Sequence, residues 1–169
     1  IPPCRDGLAA DGVCFEQTYS PQPVCGPCRA MFQTGQWAAQ LGCFRNNLAL
    51  PEDVKTLAAS FEEAGYETAY VGKWHLASSG EPDKPPAADY TVTAIPPERR
   101  GGYRGFWRAA DVLEFTSHGY DGYVFDENMQ KRPFTGYRAD CITDFALEFL
   151  DGYDGQKPFF LTVSHIEPH

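Results

Sequence analysis

Apolar and polar positions follow distinct periods along the chain, and the changes of period mark its elements. Over 51–64, Val54, Leu57, Ala58 and Phe61 recur at helical spacing between Pro51 and a stop at Gly65, which predicts an amphipathic helix. The next residues, 66–71, read as a strand, giving an α-then-β step of an α/β sheet. The helical period returns over 137–150 with Cys141, Ile142, Phe145, Leu147 and Phe149, and the run 158–163 (Pro-Phe-Phe-Leu-Thr-Val) predicts a buried strand. Nearer the start, 8–13 predicts a short helix ended by Gly12, and 13–19 is strand-like. Pro21 and Pro23 hold the chain extended before a helix with Pro27 in its first turn, running to about Thr34-Gly35. Over 120–134 the pattern is a peripheral hairpin around Asp126-Glu127-Asn128. Pro, Gly and charge dominate 78–102, which predicts a long surface excursion. The order β, α, α, β, excursion, α, β implies an α/β fold, a mostly parallel sheet flanked by helices, with its site at the carboxyl ends of the strands.

Length bounds this picture: 169 residues, 43% apolar and 22% charged, suffice for one domain with a real core but are short for a two-domain enzyme. Lys and Arg total 14 against 23 Asp and Glu, a net charge of -9, so no broad basic surface is available for nucleic acid or anionic membrane. An anionic substrate needs a small local cluster of cations. No apolar run approaches the roughly 20 residues of a membrane span, and the opening residues lack a signal-peptide pattern. The chain starts without Met at Ile1-Pro2-Pro3 and stops at Pro168-His169 directly after a strand-like run, so the expectation is a fragment of a single domain, truncated at both ends.

The six cysteines are Cys4, Cys14, Cys25, Cys28, Cys43 and Cys141. The core is too large to need a disulfide framework, and one C-x-x-C pair with no second pair does not make a four-ligand zinc site. Free, partly buried thiols are expected, which leans toward a reducing compartment. Cys25-Gly26-Pro27-Cys28 alone is a thioredoxin-like dithiol sequence, and a cysteine at a helix N-terminus has its thiolate stabilised by the dipole. Val24 stands where Trp is usual there, and two helices follow instead of a helix and a strand.

The same stretch resembles the first signature of the sulfatase family, Cys-x-Pro-x-Arg followed by a hydrophobic pair and Thr-Gly, here Cys25, Pro27, Arg29, Met31, Phe32, Thr34 and Gly35. Cys28 departs from the usual Ser, Ala or Thr. A second segment, 65–76, is similar to the family's G-Y-x-T-x-x-x-G-K-W-H-L, with Lys73 and His75 delivered at a strand's carboxyl end. On K-W-H alone, an exposed Lys and a loop His beside a core Trp is the competing reading. The third likeness is 158–169, whose terminal Pro168-His169 matches a Pro-His that contacts sulfate in the family; His165 matches less well.

The resemblance implies an alkaline-phosphatase-like sulfuric ester hydrolase. A dedicated maturation enzyme would oxidise Cys25 to formylglycine, whose hydrate is the nucleophile, and the second hydroxyl would release sulfate as the aldehyde re-forms. A hydrate at a helix N-terminus faces backbone N–H groups, and Arg29, one turn along, returns to the same face. It further implies that Lys73 and His169 bind the sulfuryl oxygens and that His75 contacts the nucleophile or the leaving oxygen. The implied cofactor is a divalent cation, usually calcium, on oxygen ligands of which only the oxygen derived from Cys25 lies in this chain, so the piece alone is expected to be inactive. A sulfated small molecule or carbohydrate is the implied substrate. Three alternatives stay open: phosphonate or phosphate ester hydrolysis with the same nucleophile, a Cys25–Cys28 thiol-disulfide oxidoreductase, and a non-catalytic remnant. Residues 78–119 are expected as a variable substrate-side excursion, where Arg99, Arg100, Tyr103, Arg104, Trp107 and Arg108 form either a substrate-contacting cluster or a solvated basic loop over core aromatics. Compartment is open between cytoplasm and periplasm, because any signal peptide would lie upstream of Ile1.

Overall fold

In the computed structural model, residues 3–78 and 89–168 are described. The elements are α1 (Pro3–Asp11), α2 (Cys25–Thr34), α3 (Leu57–Glu63), β1 (Glu67–Lys73), β2 (Trp107–Ala110), α4 (Leu113–Thr116), β3 (Asp121–Asp126), β4 (Lys131–Thr135), α5 (Arg138–Gly152) and β5 (Phe159–Ser164), with a short 3-10 turn at Pro97–Arg99. Five strands form one sheet in the order β4-β3-β2-β1-β5. β1 pairs in parallel with β2 and β5, while β2–β3 and β3–β4 are antiparallel. The β5-β1-β2 part is parallel and flanked by helices, as the sequence pattern implies, and the peripheral 121–135 hairpin adds two antiparallel strands at its edge, which makes the sheet mixed.

Local chemistry sets the boundaries. α2 ends where Gly35 takes the left-handed conformation at φ 69 and its N–H returns to the Met31 carbonyl. α3 starts later than the 51–64 pattern predicts, because the Thr56 side chain accepts from the Ala59 N–H and caps the helix there. Residues 13–19, expected as a strand, are an exposed irregular segment, with Phe15 79% exposed and no ladder partner among the described residues. The expected surface excursion over 78–119 contains β2 and α4, and Ile95, Tyr103, Trp107 and Leu113 in it are buried core; residues 79–88 lie outside the described residues. β5 is a half-buried edge strand with Phe159 and Val163 exposed, not a fully buried one.

Strand alternation divides the core between the two faces of the sheet. Tyr70 packs with Trp74, Tyr103, Trp107 and Ala30 on the face that carries α2 and α3. Val71 packs with Ala110, Leu113, Val124, Ile142 and Ala146 on the face that carries α5. Two residues beyond Val71, Lys73 is delivered to that second face at the strand's carboxyl end. Among the described residues no helix is long and apolar enough to cross a membrane.

Candidate active site

The carboxyl ends of β1, β2 and β5 converge, and three anchors fix the residues there. Gly72 has φ +105, and a Cβ built on it would collide with the Ser164 carbonyl oxygen, so β1 and β5 approach this closely only with glycine at 72. The Lys73 carbonyl accepts from the Tyr70 hydroxyl at 2.5 Å and from Arg29 Nη1 at 2.7 Å. Arg29 Nη1 also donates to Ser164 Oγ at 2.6 Å. α2 is thereby tied to β1 and β5. Cys25, first residue of α2 and half-buried, lies one helical turn before Arg29 on the same face.

Lys73 is 3% exposed, and its ammonium is ion-paired with Glu114 of α4. Burial works to raise the Glu114 carboxyl, but the hydrogen bond and charge of Lys73, helped by the Glu114 N–H and by His75, leave it below the ordinary Glu range. Beyond Lys73 the chain leaves β1, and His75 sits at φ 57 in the left-handed region. That turn is built on the fully buried Asp111, whose Oδ1 accepts from the Leu76 and Ala77 N–H groups at 2.9 Å each and whose Oδ2 accepts from Ser78 N–H at 3.0 Å.

The His75 ring is buried, with Nε2 3.3 Å from Asn47 Oδ1 and Nδ1 without a hydrogen-bond partner among the described residues. Its pKa lies below the ordinary 6.5: burial is the largest cause, the charges of Lys73 and Arg29 add to it, and Asp111 and Glu114 oppose it. At neutral pH the imidazole is therefore uncharged, able to take or give a proton. Asn46, next to Asn47, accepts the Gly26 N–H through Oδ1 at 2.8 Å. One of the free N–H groups expected at the α2 N-terminus is thus already engaged by the protein.

Arg29, Lys73 and His75 are brought together, with Cys25 on the face of α2 that carries Arg29. His169 lies outside the described residues. His165 points elsewhere, its Nε2 3.1 Å from Thr143 Oγ1 on the exposed side of α5. Cys25 and Cys28 are free thiols, as are the other four. Among the described residues no group of three or more His, Cys, Asp or Glu side chains could hold a metal ion.

The cation and aromatic cluster over 99–108 is dispersed into structural contacts. Arg99 pairs with Glu52 at 2.9 Å and Arg104 with Glu62 at 3.1 Å. Arg100 donates to the Ile95 carbonyl, and Arg108 is held by Glu127 and Glu148. Tyr103 and Trp107 are core. Sequence reasoning missed Asn46, Asn47, Asp111, Glu114 and Ser164, which carry no local motif and meet the signature residues only through the fold.

The sulfatase family model matches residues 2–169. The chain is 36% identical to the uncharacterized sulfatase YidJ of Escherichia coli, over 97% of this chain and 33% of that protein. It is 30% identical to the N-acetylglucosamine-6-O-sulfatase of Bacteroides thetaiotaomicron, over 99% of this chain and 26% of that protein. Among solved structures, one determined in complex with its substrate D-glucosamine-2-N,6-O-disulfate superimposes with a TM-score of 0.77 at 28% identity, over 99% of this chain and 29% of that one. The chain thus spans about a third or less of the length of these relatives.

Proposed function

Because the chain belongs to the sulfatase family, we propose that it forms the nucleophile and cation side of a sulfuric ester hydrolase site that acts on a sulfated carbohydrate or other sulfated small molecule. The observation that carries this reading is the hydrogen bond from Arg29, on the Cys25 face of α2, to the Lys73 main-chain carbonyl at the carboxyl end of β1. Two segments 44 residues apart, each with its own signature, meet at one point of the fold.

Cys25 fits conversion to formylglycine by a maturation enzyme: it is an unpaired thiol opening a helix, with a guanidinium on the same face. Its hydrate would supply the attacking hydroxyl. The roles of the chain's own residues follow from their placement. Arg29 keeps α2 in register with β1 and β5 and sets a positive charge beside the nucleophile position. The Lys73 ammonium, with three donors and one of them engaged by Glu114, has donors left for sulfuryl oxygens. His75, uncharged and held at Nε2 by Asn47, is suited to move a proton to or from the leaving oxygen. The described residues do not fit a calcium site by themselves, so no step is routed through a metal. A sugar sulfate agrees with the names of the relatives.

The test is release of para-nitrophenol from para-nitrophenyl sulfate by the chain carried within a full-length sulfatase and co-expressed with a formylglycine-generating enzyme, because the chain alone is expected to be inactive. The wild type is expected to turn over and Cys25→Ala to show none. Turnover of a matched aryl phosphonate but not of the sulfate would overturn the choice of sulfur.

A further inference from the structure

Lys73 and Glu114 form an ion pair at the carboxyl ends of β1 and β2, with Lys73 3% and Glu114 23% exposed. Glu114 is the residue at this cluster that offers both a carboxylate to Lys73 and a partly open face. The Arg29 guanidinium in the same cluster is engaged through Nη1 by two protein oxygens. The positive charge that would draw an ester oxyanion to Lys73 is therefore offset by an adjacent carboxylate, which the Lys73 hydrogen bond and charge help keep ionised.

This arrangement treats anions of different charge differently. A sulfate monoester carries one negative charge, whereas a phosphate monoester near pH 8 carries close to two, since its second pKa is about 6. One ammonium can hold Glu114 and a monoanionic ester together, because it has three donors. The second charge of a dianion gains nothing further from Lys73 that Glu114 does not oppose. We infer that Glu114 is a specificity-determining residue: its carboxylate, bound to Lys73, admits monoanionic esters to the site and disfavours dianionic ones. The inference rests on the reading that Lys73 faces the ester oxygens.

The experiment compares dissociation constants for phenyl sulfate and phenyl phosphate near pH 8, by calorimetry, in wild-type, E114Q and E114D protein. E114Q is expected to tighten phenyl phosphate about tenfold more than phenyl sulfate, because removing the carboxylate relieves more repulsion on a dianion than on a monoanion. E114D keeps the wild-type ratio, which a purely structural role for this side chain would not predict. Glu114→Ser is measured alongside, with the same shift expected, so that poor folding of E114Q does not decide the matter. An unchanged ratio in both neutral variants overturns the inference, as does absence of binding by every form. All forms are prepared with the chain carried within a full-length sulfatase, and turnover of para-nitrophenyl sulfate is read separately: its absence in that wild type counts against the sulfatase reading, while the binding ratio still decides the role of Glu114.

Discussion

Arg29 Nη1 donates to Ser164 Oγ at 2.6 Å across 135 residues of sequence, and through this bond the first turns of α2 are fixed to the end of β5. The same nitrogen reaches the Lys73 carbonyl, so one guanidinium sets the relative position of three segments. Arg29→Ala is expected to cost about 2–3 kcal/mol of stability, because it removes two hydrogen bonds from a charged donor, to the Lys73 carbonyl and to Ser164 Oγ. Ser164→Ala removes one acceptor and should cost about 1 kcal/mol. Urea unfolding of the two variants checks the order; equal costs would contradict this role for Arg29.

Asp111 is expected to be the most sensitive position behind the site. Its carboxylate satisfies three backbone N–H groups, of Leu76, Ala77 and Ser78. Asp111→Ala leaves them buried without that acceptor and should destabilise the fold by about 3 kcal/mol. Amide exchange should accelerate first at 76–78. A loss spread evenly over the sheet would argue against this local role.

His75 gives the site a pH dependence of known sign. Its folded pKa is depressed below the ordinary 6.5, chiefly by burial. The unfolded chain therefore binds the proton more readily, and this contribution to stability is full above about pH 6.5 and is lost as pH falls through the lower folded value. His75→Gln should flatten the fall in urea midpoint between about pH 7.5 and pH 5. A steeper fall in the variant would contradict the assignment.

The cysteines should separate by reactivity. Burial pushes the Cys43 thiol up to about 11, and its Sγ lies 3.1 Å from the Ala49 carbonyl. Under alkylation near pH 8, Cys43 should stay unlabelled while the exposed Cys4 and Cys14 react. Cys28→Ser, with the chain carried within a full-length sulfatase, should leave aryl sulfate turnover within about twofold, since among the described residues the Cys28 side chain hydrogen-bonds only with Ser20 Oγ, at 3.4 Å. A dithiol mechanism requires the opposite.

Much of the frame was legible along the chain. The α3-to-β1 step, the 121–135 hairpin and the succession of α5 and β5 each have a local period and a Gly or Pro boundary. β2 was hidden because Trp107-Arg108-Ala109-Ala110 has no alternation and contains a charge. Only the fold shows that Arg108 is neutralised there by Glu127 and Glu148. Residues 13–19 carry a strand-like composition without a partner strand, and composition alone does not make a ladder. At the candidate site, Cys25, Arg29, Lys73 and His75 stand out in the sequence because they sit in two short signatures, and the fold brings those two segments together. Asp111 and Glu114 were not, because each finds its partner across 33 to 41 residues and no local spacing records that pairing.

The most direct test of the account is peptide mass spectrometry across Cys25 in protein co-expressed with a formylglycine-generating enzyme. An aldehyde at Cys25 with Cys28 still a thiol is the predicted result. A Cys25 that remains unmodified under these conditions, or is recovered only as a Cys25–Cys28 disulfide, would contradict it.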